Sequence, residues 1–428
     1  MSASALLVPI SAPEATDTAR FGPKGANLAR LAHAGLPTPG GYCLSADAYR
    51  LQIRELGLEE SARGAFATDD GAQARRYALN MKIGLMDEPI TPEIRAPLLQ
   101  VWNDIKAKHG VPIVVRSSAL VEDRFGSSFA GQFESFLDLE DETDFETAIR
   151  ACWAALWSTR ALRYMATHDL DPADTAMALI IQPLIPALAA GGGLSQTVDG
   201  GMLINATWGL GSSIAQGEVT PDRYLLSRDA ELTEAAIGPK YHAVGCTHRK
   251  FTPPKKTDVP KRCLNNEQVA QLGGMLRRAE EIMGLPVEVE WAMDDDGIKM
   301  LQARPLHIGT QDKVPDEIWR NHPRLRGQPA GVGWGTGRAR VVNCECELAH
   351  VAPGDVLITK SAGPALSRIL MNVSAVVSEL GGSTSHLASL ARERGIPMVL
   401  GVADATTTIP DGAQVAVDGV AGTVRWIV

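Results

Sequence analysis

Near residue 380 the chain switches its hydrophobic rhythm within about ten residues, and that switch fixes the local fold. Ala375-Val376-Val377-Ser378 is a short apolar run suited to a buried strand. It is followed by the pair Gly381-Gly382, then Ser383-Thr384-Ser385, then His386-Leu387-Ala388-Ser389-Leu390-Ala391, whose apolar positions recur at helical spacing. Glycine admits the sharp turn, and a Ser or Thr before a helix accepts its first free N–H groups. Gly395 ends the helix, and Ile396 to Leu400 reads as the next buried strand. The pattern predicts strand, glycine turn, helix, strand, with His386 in the first helical turn.

A histidine on a surface or in a core needs no function. Here Leu387, Leu390 and Ala391 supply the buried helix face, so His386 projects elsewhere. The helix start offers unpaired N–H groups and positive potential, which favour a neutral, nucleophilic imidazole and then stabilise a phosphoryl anion carried on it. The run from Gly381 to Gly401 resembles the phosphohistidine motif of the family that includes phosphoenolpyruvate synthase, pyruvate phosphate dikinase and rifampin phosphotransferase. That resemblance implies an α/β (α+β) protein: an ATP-grasp nucleotide-binding module followed by a small swivelling β/α phosphohistidine domain.

The same resemblance implies an ATP site upstream, and several segments have suitable chemistry. Phe21-Gly22-Pro23-Lys24-Gly25 opens an amphipathic helix closed by Gly35 and Pro37, placing the Lys24 cation where phosphates can be met. Val114-Val115-Arg116 puts an Arg fork, a bidentate phosphate ligand, directly after an apolar strand, with acidic Glu122-Asp123 following. A small-residue run, Gly126 to Gln132, follows it; the resemblance makes Ser128 to Gln132, including Gly131 and Gln132, a mobile lid over the nucleotide. Ala178 to Ile185 is an apolar strand interrupted by Gln182-Pro183, and in an ATP-grasp fold Gln182 would hydrogen-bond the adenine.

Val287-Glu288-Val289-Glu290-Trp291 and Met300-Leu301-Gln302-Ala303-Arg304-Pro305 alternate as strands, with Glu288 and Glu290 on one face and Gln302 and Arg304 on one face. Asp294-Asp295-Asp296-Gly297 between them reads as a hairpin turn rather than a metal site. By resemblance, Glu290 and Gln302 bind Mg²⁺ and Arg304 binds phosphate. Trp208 to Gly217 with Thr220-Pro221-Asp222 matches the family's glycine-rich centre, with two departures. Ser212 stands where many members carry Glu, and Ala189 to Gly201 reads as a glycine-rich loop.

The 428-residue length allows two or three domains, and a formal charge of −9 with no basic bias gives no reason to expect nucleic acid as a partner. No run of eighteen apolar residues and no leader-like N-terminus is evident, so the expectation is a cytoplasmic chain without membrane insertion. Six scattered cysteines show no zinc spacing, and Cys344-x-Cys346 reads as loop. Arg249, Lys250, Lys255, Lys256, Lys261 and Arg262 read as a solvated basic patch.

The expected organisation is an ATP-grasp N-terminal lobe over residues 1–200, its C-terminal lobe over 201–308, a proline-punctuated hinge linker over 309–330 and the swivelling domain over 331–428. The resemblance implies a dikinase-type phosphotransferase component using ATP and Mg²⁺, in which ATP phosphorylates His386 with release of AMP and phosphate. The acceptor expected is a small hydroxyl or enol compound, an alcohol or phenol, bound by a separate acceptor-binding subunit as in split systems such as phenylphosphate synthase. Two other readings stand beside it: the nucleotide and histidine half of a split phosphoenolpyruvate synthase (pyruvate, water dikinase), and an inactive nucleotide-sensing protein, which would not need the histidine. Thr384 resembles a regulatory phosphorylation position of plant-type dikinases.

Overall fold

The computed structural model describes residues 6–68, 70–122, 133, 135–167, 170–240, 261–308, 319 and 322–427. The α/β class is the observed one, and the chain divides into two compact units, Met1–Ile185 with Lys299–Arg304, and Pro186–Ile298 with Pro305–Val428. The expected lobe boundary at 200 falls inside the second unit, and the short stretch Lys299–Arg304 belongs to the first.

In the first unit, strands β1 (Leu7–Pro9), β2 (Tyr42–Leu44), β3 (Ile113–Ala119), β4 (Ser135–Leu139) and β5 (Met177–Pro183) form an antiparallel sheet in the order β1-β2-β5-β3-β4. The central strand β5 is buried at every residue, which is why it reads as an unbroken apolar run rather than an alternating one. Helices α1 (Thr18–His33), α2 (Ala46–Glu55), α3 (Glu59–Ala67), α4 (Gly71–Asp87), α5 (Pro92–His109), α6 (Glu142–Ala155) and α7 (Thr159–Thr167) accompany it. The core of this unit is aromatic-rich: Trp102 and Phe145 meet with centroids 5.1 Å apart, and the Trp157 indole donates to the Tyr49 hydroxyl at 2.8 Å. Burial of two aromatic polar tips is tolerable because each satisfies the other.

The second unit begins with β6 (Ala189–Leu194), β7 (Met202–Trp208), the single turn α8 (Ser212–Ala215), β8 (Asp222–Leu226), β9 (Leu232–Ala236), helix α9 (Asn266–Met283) and β10 (Val287–Asp294); β11 (Gly297–Pro305) follows the turn. Neighbours run β10-β6-β7-β8-β9, all antiparallel. The glycine-rich segment expected as a loop is therefore, in its first half, strand β6, flanked on both sides by other strands. The reason is steric. A Cβ on Gly191 would lie 2.0 Å from the Asn205 carbonyl oxygen, on Gly192 2.5 Å from Thr384, and on Gly193 2.9 Å from Leu276 of α9. The strand lacks side chains because neighbours occupy both of its faces.

The sheet edge is organised around Asp222. Its Oδ1 accepts from Gly238 N at 2.9 Å and from Lys240 Nζ, and its Oδ2 from Cys263 N at 2.8 Å and the Tyr224 hydroxyl at 3.2 Å. Asp222 and Lys240 are fully buried, a pairing that a carboxylate in this position requires. Burial, then the Asp222 charge, push both the Tyr224 phenol and the Cys263 thiol up.

The remainder is a mixed sheet of β12 (Arg324–Arg326), β13 (Gln328–Gly331), β14 (Trp334–Val342), β15 (Val356–Thr359), β16 (Ala375–Ser378), β17 (Met398–Leu400), β18 (Gln414–Asp418) and β19 (Thr423–Ile427). Its order is β12-β19-β18-β14-β15-β16-β17-β13, with β14 to β17 parallel. Helix α10 (His386–Arg394) connects parallel neighbours β16 and β17, and α11 (Ala405–Thr408) is one turn. The parallel pairing requires a crossover, and the crossover is the histidine helix.

The expected hinge linker is only partly visible. Residues 309–318, 320 and 321 lie outside the described residues, and the end of the predicted linker is strand: β12 pairs with β19 and β13 with β17. Pro329 misled the reading, yet β13 is an edge strand, where a missing N–H is tolerated. Lid residues Gly131 and Gln132, and basic residues 249 to 256, also lie outside the described residues. Among the described residues no helix is long and apolar enough to cross a membrane.

Candidate functional site

In the first unit the predicted cations are arranged by α1 against β3. Gly22 has φ +68°, and a Cβ there would fall 2.4 Å from the Ser118 carbonyl oxygen, so only glycine lets the helix start so close to the strand. Ser118 stitches the two together: its hydroxyl donates to Phe21 O at 2.8 Å and accepts from Gly25 N at 3.1 Å. Lys24 is thereby held beside β3, where its ammonium pairs with Glu122 at 2.9 Å, the carboxylate side chain being only 2% exposed. Glu122 was noted in the sequence as an acidic neighbour of the Arg116 strand, but its pairing spans 98 residues and has no local signal.

Arg116 lies inside β3 rather than after it. Its guanidinium donates to the Leu301 carbonyl at 2.8 Å and to the Gln302 amide oxygen at 2.9 Å. Asn27 of α1, buried, donates to Ala303 O at 3.2 Å. Lys24, Arg116, Gln302 and Arg304 thus belong to one framework built by α1, β3 and the stretch Lys299–Arg304. Gln302 and Arg304 are buried to below 10% exposure, unusual for such side chains and consistent with a constrained role. Gln182, also buried, spends its amide N–H on Gly40 O at 2.9 Å, tying down the segment after α1.

Glu290 lies on β10 in the second unit, half-buried, next to fully packed Trp291. The turn that follows is as read: Asp294 Oδ1 accepts from Asp296 N at 2.9 Å, and Gly297 takes φ +112°. Among the described residues no group of three or more His, Cys, Asp or Glu side chains converges as a ready metal cage. Glu290 in the second unit and Gln302 in the first each carry a hard oxygen donor of the kind Mg²⁺ takes, and Mg²⁺ held with a nucleotide needs only one or two protein donors because phosphates and waters complete its shell. Gln302 Oε1 accepts one hydrogen bond and retains a second lone pair.

The histidine segment is built as the sequence pattern reads. Gly381 takes φ +110°, a Cβ on Gly382 would lie 2.5 Å from Pro221, and Ser385 caps α10 by accepting from Ala388 N at 3.3 Å. Gly395 ends the helix with φ +63°. His386 is half-buried at the first position, with Leu387, Leu390 and Ala391 packed inward. Thr384 is half-buried and donates to Asn205 Oδ1 at 3.3 Å.

Reading single motifs missed a cluster beneath this helix. Glu288 is buried on β10 and accepts from Arg392 Nη2 at 2.9 Å and from the Ser389 hydroxyl. Arg392 also donates to Ala330 O at 3.1 Å and to Ser383 O. The alternation Glu288, Glu290 was the available signal; it gave the shared face but no partner.

Comparison with known proteins identifies the family and the order of its domains. The family profile "Pyruvate phosphate dikinase, AMP/ATP-binding domain" matches residues 18–323, and "PEP-utilising enzyme, mobile domain" matches residues 351–422. A probable phosphoenolpyruvate synthase of Methanothermobacter thermautotrophicus is 30% identical over 422 residues, covering 95% of this chain and 61% of its own length. The phosphoenolpyruvate synthase of Pyrococcus furiosus is 29% identical over 469 residues, covering 95% and 57%, and that of Neisseria meningitidis 28% over 449, covering 96% and 56%. The chain thus spans somewhat more than half the length of these relatives. They overturn one expectation. Both domains lie in this one chain, and nearly all of it aligns within phosphoenolpyruvate synthases, so a separate acceptor-binding subunit is not indicated. None of these three relatives is named for an alcohol or phenol acceptor. With the AMP/ATP-binding profile covering well over half of its residues, the chain belongs to the pyruvate phosphate dikinase AMP/ATP-binding family and carries the PEP-utilising mobile domain behind it.

Proposed function

We propose that this chain performs phosphoryl transfer of the pyruvate, water dikinase type, in which ATP, pyruvate and water become AMP, phosphate and phosphoenolpyruvate by way of a phosphoryl group on His386. The observation that carries the reading is His386 itself, the first residue of a helix entered through a glycine pair, within the stretch matched by the mobile domain. Its place in the first turn puts it in the positive field of the helix N-terminus, which favours phosphoryl charge there. ATP would load the β-phosphoryl group on His386, AMP and phosphate leaving, and the enol oxygen of pyruvate would then take it.

Lys24, Arg116 and Arg304 are the groups we assign to the nucleotide phosphates, with Gly131 and Gln132 in the closing lid and Gln182 at the adenine. Arg116 is prepared for this by holding its fork against Leu301 and Gln302, so less freedom is lost when an anion binds. Mg²⁺, when bound, neutralises phosphate charge, and Glu290 and Gln302 are the oxygen donors assigned to it. Residues 331–428 would act as the swivelling carrier, since one imidazole cannot meet a nucleotide and an acceptor at two places at once.

Incubation with Mg²⁺ and ATP labelled at the β-phosphorus should give an acid-labile, base-stable adduct on wild-type protein and none on His386→Ala. Label surviving in that variant would end the assignment. Discharge of the adduct by pyruvate, with phosphoenolpyruvate as the product, tests the acceptor.

A further inference from the structure

The contact between the histidine-bearing domain and the 186–298 lobe is polar and glycine-lined. Gly382 meets Pro221, Gly192 meets Thr384 and Gly217 meets Ala362, each so closely that a Cβ would collide. Around them Gln328 donates to Pro221 O at 3.3 Å, Thr220 to Glu379 O at 3.4 Å and Thr384 to Asn205 at 3.3 Å. The hydrophobic cluster of Ala339, Val377, Val399 and Trp426 is drawn entirely from residues beyond 324 and does not extend into the lobe. Such a surface fits closely, and polar groups line it. A buried ion pair also crosses it, Glu288 with Arg392, both side chains 6% exposed.

The pair is asymmetric. Arg392 is already held by its own domain, through Ser383 O, Ala330 O and the Ser389 hydroxyl, so its guanidinium presents a fixed edge. Glu288 comes from the other side and closes on that edge. His386, Ser389 and Arg392 follow one another at three-residue spacing, so adjacent members share a helix face, and Arg392 also grips the carbonyl of Ser383 in the segment leading into His386.

We propose that Glu288 and Arg392 form a latch that docks the histidine helix on the 186–298 lobe and positions His386 for loading. Glu288 is a positioning residue, acting through Arg392, and the latch opens each time the helix leaves. The loading role rests on the reading of His386 as phosphoryl carrier; the docking role does not.

The test uses Glu288→Gln, nearly isosteric but uncharged, and Glu288→Asp, which keeps the charge. Arg392 is left intact because it also holds two backbone carbonyls. Distance probes at the exposed positions Ile237 and Met371 report docking in full-length protein. The expected result is one dominant distance in wild type, a population at longer distance in Glu288→Gln, and recovery toward wild type in Glu288→Asp. Labelling of His386 from β-labelled ATP should slow roughly tenfold or more in Glu288→Gln, with the ATP concentration for half-maximal rate unchanged, as expected when a buried ion pair rather than a ligand contact is lost. An unchanged distance distribution in Glu288→Gln overturns the latch, whatever the rate does. A shifted distribution with an unchanged rate overturns positioning. If wild type takes no label, the carrier reading fails and the distances alone decide docking.

Discussion

At the scale of single residues, the electrostatic partners matter as much as the groups themselves. Arg116 holds two acceptors with two nitrogens, and a lysine there offers no fork. Arg116→Lys should therefore reduce β-phosphoryl labelling of His386 by roughly 10- to 100-fold, as for loss of one charge-stabilising contact, with near-UV circular dichroism unchanged. A rate within twofold of wild type would place Arg116 outside the nucleotide site. The cysteines give a second residue-level expectation. Burial pushes the Cys43 thiol up to about 12, so at pH 8 only about one in ten thousand is thiolate. Exposed Cys344 should be alkylated in the native protein while Cys43, Cys152 and Cys263 resist until denaturant is added; mass spectrometry of tryptic peptides reads the difference. The local settings of His386 and Lys24 were legible because glycine turns and helix starts are local patterns. The Glu288–Arg392 pair was not: its members stand 104 residues apart, and only folding brings them together.

At the scale of elements, the strands with side chains to alternate were legible, and β16 and α10 begin and end where their residues suggest. β6 was not, because glycine carries neither periodicity nor hydrophobicity. Its three glycines nevertheless differ in what they meet. Gly191 faces the backbone of Asn205, which cannot yield, whereas Gly193 faces the flexible end of Leu276. Gly191→Ala should destabilise by about 1–3 kcal/mol or prevent folding, and Gly193→Ala should cost less, on the order of 1 kcal/mol. Urea midpoints followed by tryptophan fluorescence would rank them, and equal midpoints would contradict the steric account. Similarly, the end of the expected linker was missed because Pro329 reads as a breaker until its place on a sheet edge is known.

At the scale of the whole molecule, the proposed carrier holds one phosphoryl group per chain. Mixing with Mg²⁺ and ATP in the absence of pyruvate should give a burst of AMP amounting to about one equivalent and then a much slower phase, the signature of a covalent intermediate. Quenched-flow measurement with no burst, or a burst surviving His386→Ala, would contradict it. The Asp222 carboxylate has a further bearing on the molecule. It takes Gly238 N and Lys240 on one oxygen and Cys263 N on the other, so two stretches well separated in sequence share one anchor. One carboxylate thereby does for Lys240 and Cys263 what a cross-link would do, without a covalent bond: unlike a disulfide, this tie is indifferent to reducing agents and yields only when the buried charge loses its partners.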